Sequence, residues 1–237
     1  MNTEQNVILD ENKKLKIQIK DYKRLKDVVI EGKKIVLFGP NGDGKSTIIK
    51  MVRERVKSVY IDVCRAYGVP VSVDACRKKF VFKDPELVES IIDDLRRFRF
   101  DWSIYYNKAY RDKWLEASEL SFGELRALLI ISAVRMVKDS DTVILIDAFE
   151  AGLHYDWIVA AIDILTEIPQ PVIIESHMAL TLKAALSRGW SMYYALEGKT
   201  KPITSLQDTE IFTLEAQAYV NASAPRRDEE CSVCELN

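Results

Sequence analysis

No stretch of this chain stays apolar for the roughly 20 residues that cross a bilayer. Its longest apolar runs, around Thr142 to Phe149 and Ala127 to Val137, fall well short, so no membrane span is expected. Met1 to Asp10 lacks a basic segment followed by an apolar core and does not read as a secretory signal, which makes the cytoplasm the default expectation. Cysteine is sparse: four in 237 residues exclude a disulfide scaffold. In a reducing compartment, Cys64 and Cys76 are expected to be small buried side chains. Cys231 and Cys234 form one C-x-x-C in a polar tail, only half of the ligand set that structural zinc takes. A net charge of −2 excludes a protein coated in positive charge for nucleic acid. Charge is nevertheless uneven, with Lys13, Lys14, Lys16, Lys20, Lys23, Arg24, Lys26, Lys33 and Lys34 crowded into the first third. They make either a local basic face or a sheet edge guarded by lysines. Internal repeats are absent.

What is present suits a globular α/β chain with one sizeable core, 48% hydrophobic and 30% charged. Leu15, Ile17 and Ile19 alternate with polar residues, the period of a half-buried strand, and Val28 to Ile30 suggests a second short one. Ile35 to Phe38 is continuously apolar, as is a strand buried on both faces. Similar strands are expected at Val143 to Ile146, Val172 to Ile174 and around Trp190 to Leu196, with helices between them and a largely parallel sheet. The span from Asp84 to Val137 reads as helical throughout and as an inserted lobe of a single domain over residues 1–220. Residues 221–237 read as a flexible tail.

Chemistry concentrates after the strand Ile35 to Phe38. Gly39-Pro40-Asn41-Gly42-Asp43-Gly44-Lys45-Ser46-Thr47 has the glycines that let backbone N–H groups approach an anion, and it opens a helix whose N-terminus favours negative charge. Lys45 is placed to reach the β- and γ-phosphates of a nucleotide, and the Ser46 hydroxyl to ligate Mg²⁺. Val143-Ile144-Leu145-Ile146-Asp147 ends a buried strand in the carboxylate that such a cation needs. Alone, Asp147 would read as a turn cap. Ser121-x-x-Glu124 is a capping box, and a helix start with serine and glycine is also an anion site. The aromatics Trp102, Tyr105, Tyr106, Tyr110 and Trp114 alternate with basic residues and suit either a helical core or a stacking surface.

In order, these segments resemble the ABC ATPase family: phosphate loop at Gly39 to Thr47, signature at Leu120 to Glu124, Walker B strand at Val143 to Asp147, D-loop at Ala151 to His154, and switch histidine His177. Ile19 to Asp27 and Glu150 to His154 look like the soluble SMC, RecF and OLD-type branch. The resemblance implies a P-loop NTPase fold of ABC-ATPase type, a mixed or parallel sheet with an inserted helical lobe. It also implies ATP and Mg²⁺ as cofactors. Gly39, Asn41, Gly42, Asp43, Gly44, Lys45, Ser46, Thr47 and Arg24 would bind the nucleotide, Ser46 and Asp147 the metal, and His177 the γ-phosphate. Ser121 and Gly123 would contact the nucleotide of a second copy in a head-to-tail homodimer.

Two departures bear on activity. No glutamine lies between Gln18 and Gln170, so the family's Q-loop residue is missing. The residue after the Walker B aspartate, normally a glutamate that polarises the attacking water, is Ala148, which cannot accept a proton. Either the chain is substituted so as to hold ATP, or another carboxylate compensates, Glu150 and Glu175 being nearest in sequence. The functions that follow are an ATPase of DNA maintenance or defence with DNA or an unidentified protein as partner, a transporter's nucleotide-binding subunit, or a non-hydrolysing interaction protein.

Overall fold

Alternation at Leu15, Ile17 and Ile19 does build a strand: Leu15–Tyr22 (β2) buries these three side chains while Lys16, Gln18 and Lys20 face solvent. It is described here, as are residues 5–69, 72–81, 91, 94–98, 115–116, 120–137 and 141–205, in a computed structural model. Gln5–Leu9 (β1) and Leu25–Gly32 (β3) flank β2 antiparallel. Lys34–Phe38 (β4) follows and is buried from Ile35 onward. The helix Lys45–Arg55 (α1) then leads to Ser58–Ile61 (β5) and Ala66–Tyr67 (β6). Ser72–Asp74 (β7), Lys79–Val81 (β8) and Leu115–Glu116 (β9) form a separate small antiparallel sheet. The helix Phe122–Met136 (α2), Val143–Ile146 (β10), Tyr155–Glu167 (α3), Val172–Ser176 (β11), Ala179–Leu186 (α4), Ser191–Leu196 (β12) and Lys199–Ile203 (β13) complete the described chain.

The large sheet has ten strands in the order β1-β2-β3-β13-β12-β4-β11-β10-β5-β6. Its centre, β12-β4-β11-β10-β5, is parallel throughout, and antiparallel pairs lie on both sides of it. This is the expected mixed α/β sheet. Parallel strands are covered on both faces, which is why β4, β10 and β11 are unbroken apolar runs. α1 packs Ile48, Ile49, Met51 and Val52 against one face, the i, i+3, i+4 spacing of an apolar stripe. α2 differs in kind: all ten residues from Leu125 to Val134 are buried, so it lies inside the fold instead of on its surface.

Three expectations are corrected. The span from Asp84 to Val137 is not helical throughout, because Leu115 and Glu116 pair with β8 as a strand. Much of the rest of that span, including the aromatics from Trp102 to Trp114, lies outside the described residues, as do the tail and Cys231 with Cys234. Lys34 does not join a basic face. Its ammonium turns inward and donates to the carbonyls of Leu165, Ile168 and Gln170, satisfying acceptors at and just beyond the end of α3. Burial pulls its pKa down to about 7.

Cys64 and Cys76 form a disulfide, with their Cα atoms 5.1 Å apart, and Cys76 is exposed. They are close because Ala75 N–H donates to the Cys64 carbonyl at 2.9 Å, folding the β7–β8 turn back onto the segment after β5. Closing a loop over a separation of 12 residues should stabilise the fold by about 3 kcal/mol, chiefly by restricting the unfolded chain. Urea unfolding with and without dithiothreitol checks this: reductant should lower the midpoint of the natural chain and leave Cys64→Ser unmoved. Identical midpoints for the natural chain would refute the stabilisation.

Candidate nucleotide site

The parallel strands β4, β11 and β10 end side by side, Phe38 paired with Ser176 and Ile174 lying in register with Ile146. Whatever follows each strand is therefore delivered to one edge, where α/β sheets place their ligands. β4 delivers the loop Gly39 to Gly44. Gly39, Gly42 and Gly44 have φ of 144°, 88° and 95°, the left-handed region that side-chain-bearing residues avoid. Gly44 caps α1 without any side-chain hydrogen bond, so the first N–H groups of the helix are left for an anion.

Lys45 starts α1 and is buried; its ammonium donates to the carbonyls of Gly39 at 2.9 Å and Pro40 at 2.7 Å. It also lies 3.5 Å from Glu175 Oε1. Ser46 Oγ donates to Glu175 Oε2 at 3.0 Å and lies 3.4 Å from Asp147 Oδ1. Tyr60, on β5, donates its hydroxyl to Asp147 Oδ2 at 2.9 Å. Burial opposes ionisation of Asp147, but hydrogen bonds from Glu175, Tyr60 and Ser46 outweigh it and hold the carboxyl below its usual range. Glu175 moves the other way: burial, reinforced by the hydrogen bond to Asp147 and its charge, pushes it up to about 7.

His177 follows β11. Its Nδ1 meets the Gly39 carbonyl at 3.0 Å, an acceptor, so that nitrogen carries the proton and Nε2 faces Glu175 Oε1 at 3.5 Å. Its backbone N–H donates to Glu150 Oε1 at 2.7 Å. Glu150 therefore engages the histidine through its backbone. Arg24 reaches across from β2–β3 to donate to the Gly42 carbonyl at 3.0 Å, and Asp43 accepts from the Glu197 backbone at 3.1 Å. Both brace the loop from outside.

Ser46 and Asp147 suit a hard cation of Mg²⁺ type, which takes a hydroxyl, a carboxylate, water and phosphate oxygens. Among the described residues no group of three or more His, Cys, Asp or Glu side chains is arranged for a metal. A cation bound at Ser46 and Asp147 would neutralise charge on transferring phosphate oxygens.

The signature segment stands apart from this cluster. Ser121 caps α2 in a complete capping box: Glu124 N–H donates to Ser121 Oγ at 3.2 Å and Ser121 N–H to Glu124 Oε2 at 2.6 Å. A Cβ on Gly123 would collide with the Gly152 carbonyl, so the signature and the D-loop touch backbone to backbone. Among the described residues no hydrogen bond links Ser121 or Gly123 to the phosphate loop.

Sequence reasoning passed over Arg126. Fully buried on α2, it donates to the carbonyls of Asp62 and, at 3.0 and 3.3 Å, Asp147 and Ala148. Burial lowers its pKa to about 10, still charged at neutral pH. Ala148 has φ 45°, a left-handed value uncommon for alanine, and that turn aims its carbonyl at Arg126. Tyr60 was missed too. No local pattern marks either residue, because each acts through strands distant in sequence.

A protein-family model described as "AAA domain, putative AbiEii toxin, Type IV TA system" matches residues 77–182, which carry the signature, Asp147 and His177 but not the phosphate loop. The solved structure of a bacterial Atm1-family ABC exporter with ATP bound is similar over 87% of this chain, with a TM-score of 0.51 and 14% identity. The chain spans 40% of that exporter. The fold is that of an ABC-type ATP-binding cassette. Also similar are a nucleotide-free ATP-binding cassette from an ABC transporter (16% identity, 76% of this chain, 85% of that chain, TM-score 0.46) and the ATP-binding subunit of an ABC transporter (17%, 85%, 93% and 0.46). A guanylate kinase from Mycobacterium sp. (strain MCS) is 33% identical over 63 residues, 27% of this chain. The chain spans only about a third of that enzyme, 32% of its length. No described helix is long and apolar enough to cross a membrane.

Arg126→Met keeps the bulk of the side chain and removes its donors, orphaning buried carbonyls at roughly 1–3 kcal/mol each. A loss of about 3 kcal/mol in urea unfolding is expected. A loss under about 1 kcal/mol would mean that water replaces the guanidinium.

Proposed function

We propose that this chain is an ATP-gated switch that binds Mg-ATP and pairs head-to-tail with a second copy. The observation that carries this reading is the convergence of Lys45, Ser46, Asp147 and His177 on one sheet edge, beside a helix N-terminus left open for phosphate. Asn41, Gly42, Gly44 and Thr47 would cradle the phosphates with Lys45. Ser46 and Asp147 would hold Mg²⁺, and His177 would sense the γ-phosphate. Ser121 and Gly123, away from this cluster in their own chain, would complete the pocket of the partner copy.

Hydrolysis is expected to be slow, because the methyl group of Ala148 cannot orient water; losing a general base lowers rates by about 10²–10⁴-fold. Slow hydrolysis would lengthen the paired state. The setting we favour is DNA maintenance or defence, with DNA or a protein as partner. Exposed lysines on the outer antiparallel strands support it, as does the toxin–antitoxin description of the matching family.

Size-exclusion chromatography with ATP and Mg²⁺ tests the pairing. A shift to a dimer is expected for the natural chain. Lys45→Ala should lose nucleotide binding and stay monomeric, whereas Ser121→Arg should still bind nucleotide but not pair. A natural chain that remains monomeric at saturating nucleotide refutes the switch.

DNA binding is checked by fluorescence anisotropy between 50 and 200 mM salt, where an affinity falling by about tenfold or more is expected for a few phosphate contacts. Absence of binding at the lower salt would remove DNA as a partner.

A further inference from the structure

A buried carboxylate stands in the middle of this site without an assigned task. Glu175 is 6% exposed, and its two oxygens reach Ser46 Oγ at 3.0 Å, Lys45 Nζ at 3.5 Å and His177 Nε2 at 3.5 Å. Those three neighbours are the groups that would surround the terminal phosphate of ATP. Acidic side chains are seldom buried without a strong reason, since desolvation of a carboxylate costs several kcal/mol.

Phosphoryl transfer to water needs an acceptor that orients the nucleophile in line with the bond to be broken. Four positions near the site can be compared. Ala148 has no acceptor. Asp147 has one oxygen taken by Tyr60 and the other beside Ser46. Glu150 gives one oxygen to the backbone N–H of His177, and its other oxygen is sealed from solvent with no partner. Glu175 alone among these faces Lys45 and His177 together.

We infer that Glu175 is a catalytic residue, the carboxylate through which this chain's remaining hydrolysis runs. In the step, the water oxygen bonds to the γ-phosphorus while the bond from that phosphorus to the β,γ-bridging oxygen breaks. The electron pair of the broken bond stays on the β-phosphate of ADP, and a proton of the water passes to the Glu175 carboxylate. Lys45 and His177 flank the charge that develops on the γ-oxygens. The inference rests on the reading that the chain binds Mg-ATP, and it assigns to β11 a task that the turn after β10 cannot perform.

A double-mutant cycle with Ala148→Glu and Glu175→Gln tests it, reading single-turnover hydrolysis and, separately, the affinity for a fluorescent ATP analogue with Mg²⁺. Ala148 already occupies the left-handed region with a Cβ, so glutamate brings no new backbone conformation. In the natural background Glu175→Gln should lower the rate by about 10²-fold or more while affinity changes less than about threefold. In the Ala148→Glu background, where a second carboxylate serves the water, the same change should cost less than about tenfold. Equal losses in both backgrounds, a loss of affinity that parallels the loss of rate, or an unchanged rate would each overturn the assignment. Nucleotide binding with no detectable turnover in the natural chain would overturn it while leaving the binding reading intact. Absence of nucleotide binding would overturn both.

Discussion

A guanidinium sealed from water lies beneath the turn that ends β10. Arg126 comes from the helix that begins with Ser121, and its two terminal nitrogens donate to main-chain carbonyls on β10's turn and after β5, while Nε is buried without a partner. Burying such a charge is expensive, and only multiple well-aligned acceptors offset the cost. The arrangement therefore tolerates little variation in where α2, β5 and β10 lie relative to one another. The backbone on either side of the Asp147 carboxylate is fixed by this contact, and the start of α2 moves with it. If ATP pairs two copies through Ser121 and Gly123, Arg126 is the mechanical link between that surface and the carboxylate expected to hold the metal.

The second constraint is charge. Asp147 and Glu175 face each other across Ser46, with Lys45 close to Glu175. Two carboxylates this close do not both ionise easily, which is why one is held low and the other rises. A divalent cation with its nucleotide would relieve that repulsion, so the same crowding that is costly without a cation favours binding one.

Much of the site could be read in the sequence because its pieces are local. A glycine loop between an apolar strand and a helix, an aspartate ending an apolar strand and a serine three residues before a glutamate each carry their own short-range logic. The capping box at Ser121 and Glu124 was legible for that reason. The disulfide was not, since composition argued for thiols and nothing local says that Cys64 and Cys76 meet. Lys34 was read as exposed because lysine usually is; three carbonyls at and beyond the end of α3 made an exception. The strand at Leu115 and Glu116 is too short to show a period.

By itself the sequence determined the α/β class and the glycine loop between an apolar strand and a helix, because each depends on residue type and short spacing, and it placed Asp147 at the end of an apolar strand; His177 stood out only through the family resemblance. The sequence also exposed the loss of an acceptor at Ala148. Only the tertiary structure decided which carboxylate meets the ring of His177 and which its backbone. Glu150 is two residues from Ala148 and Glu175 two residues from His177, but it is the parallel register of β4, β11 and β10 that brings Glu175 to Lys45 and leaves Glu150 to hold a backbone N–H.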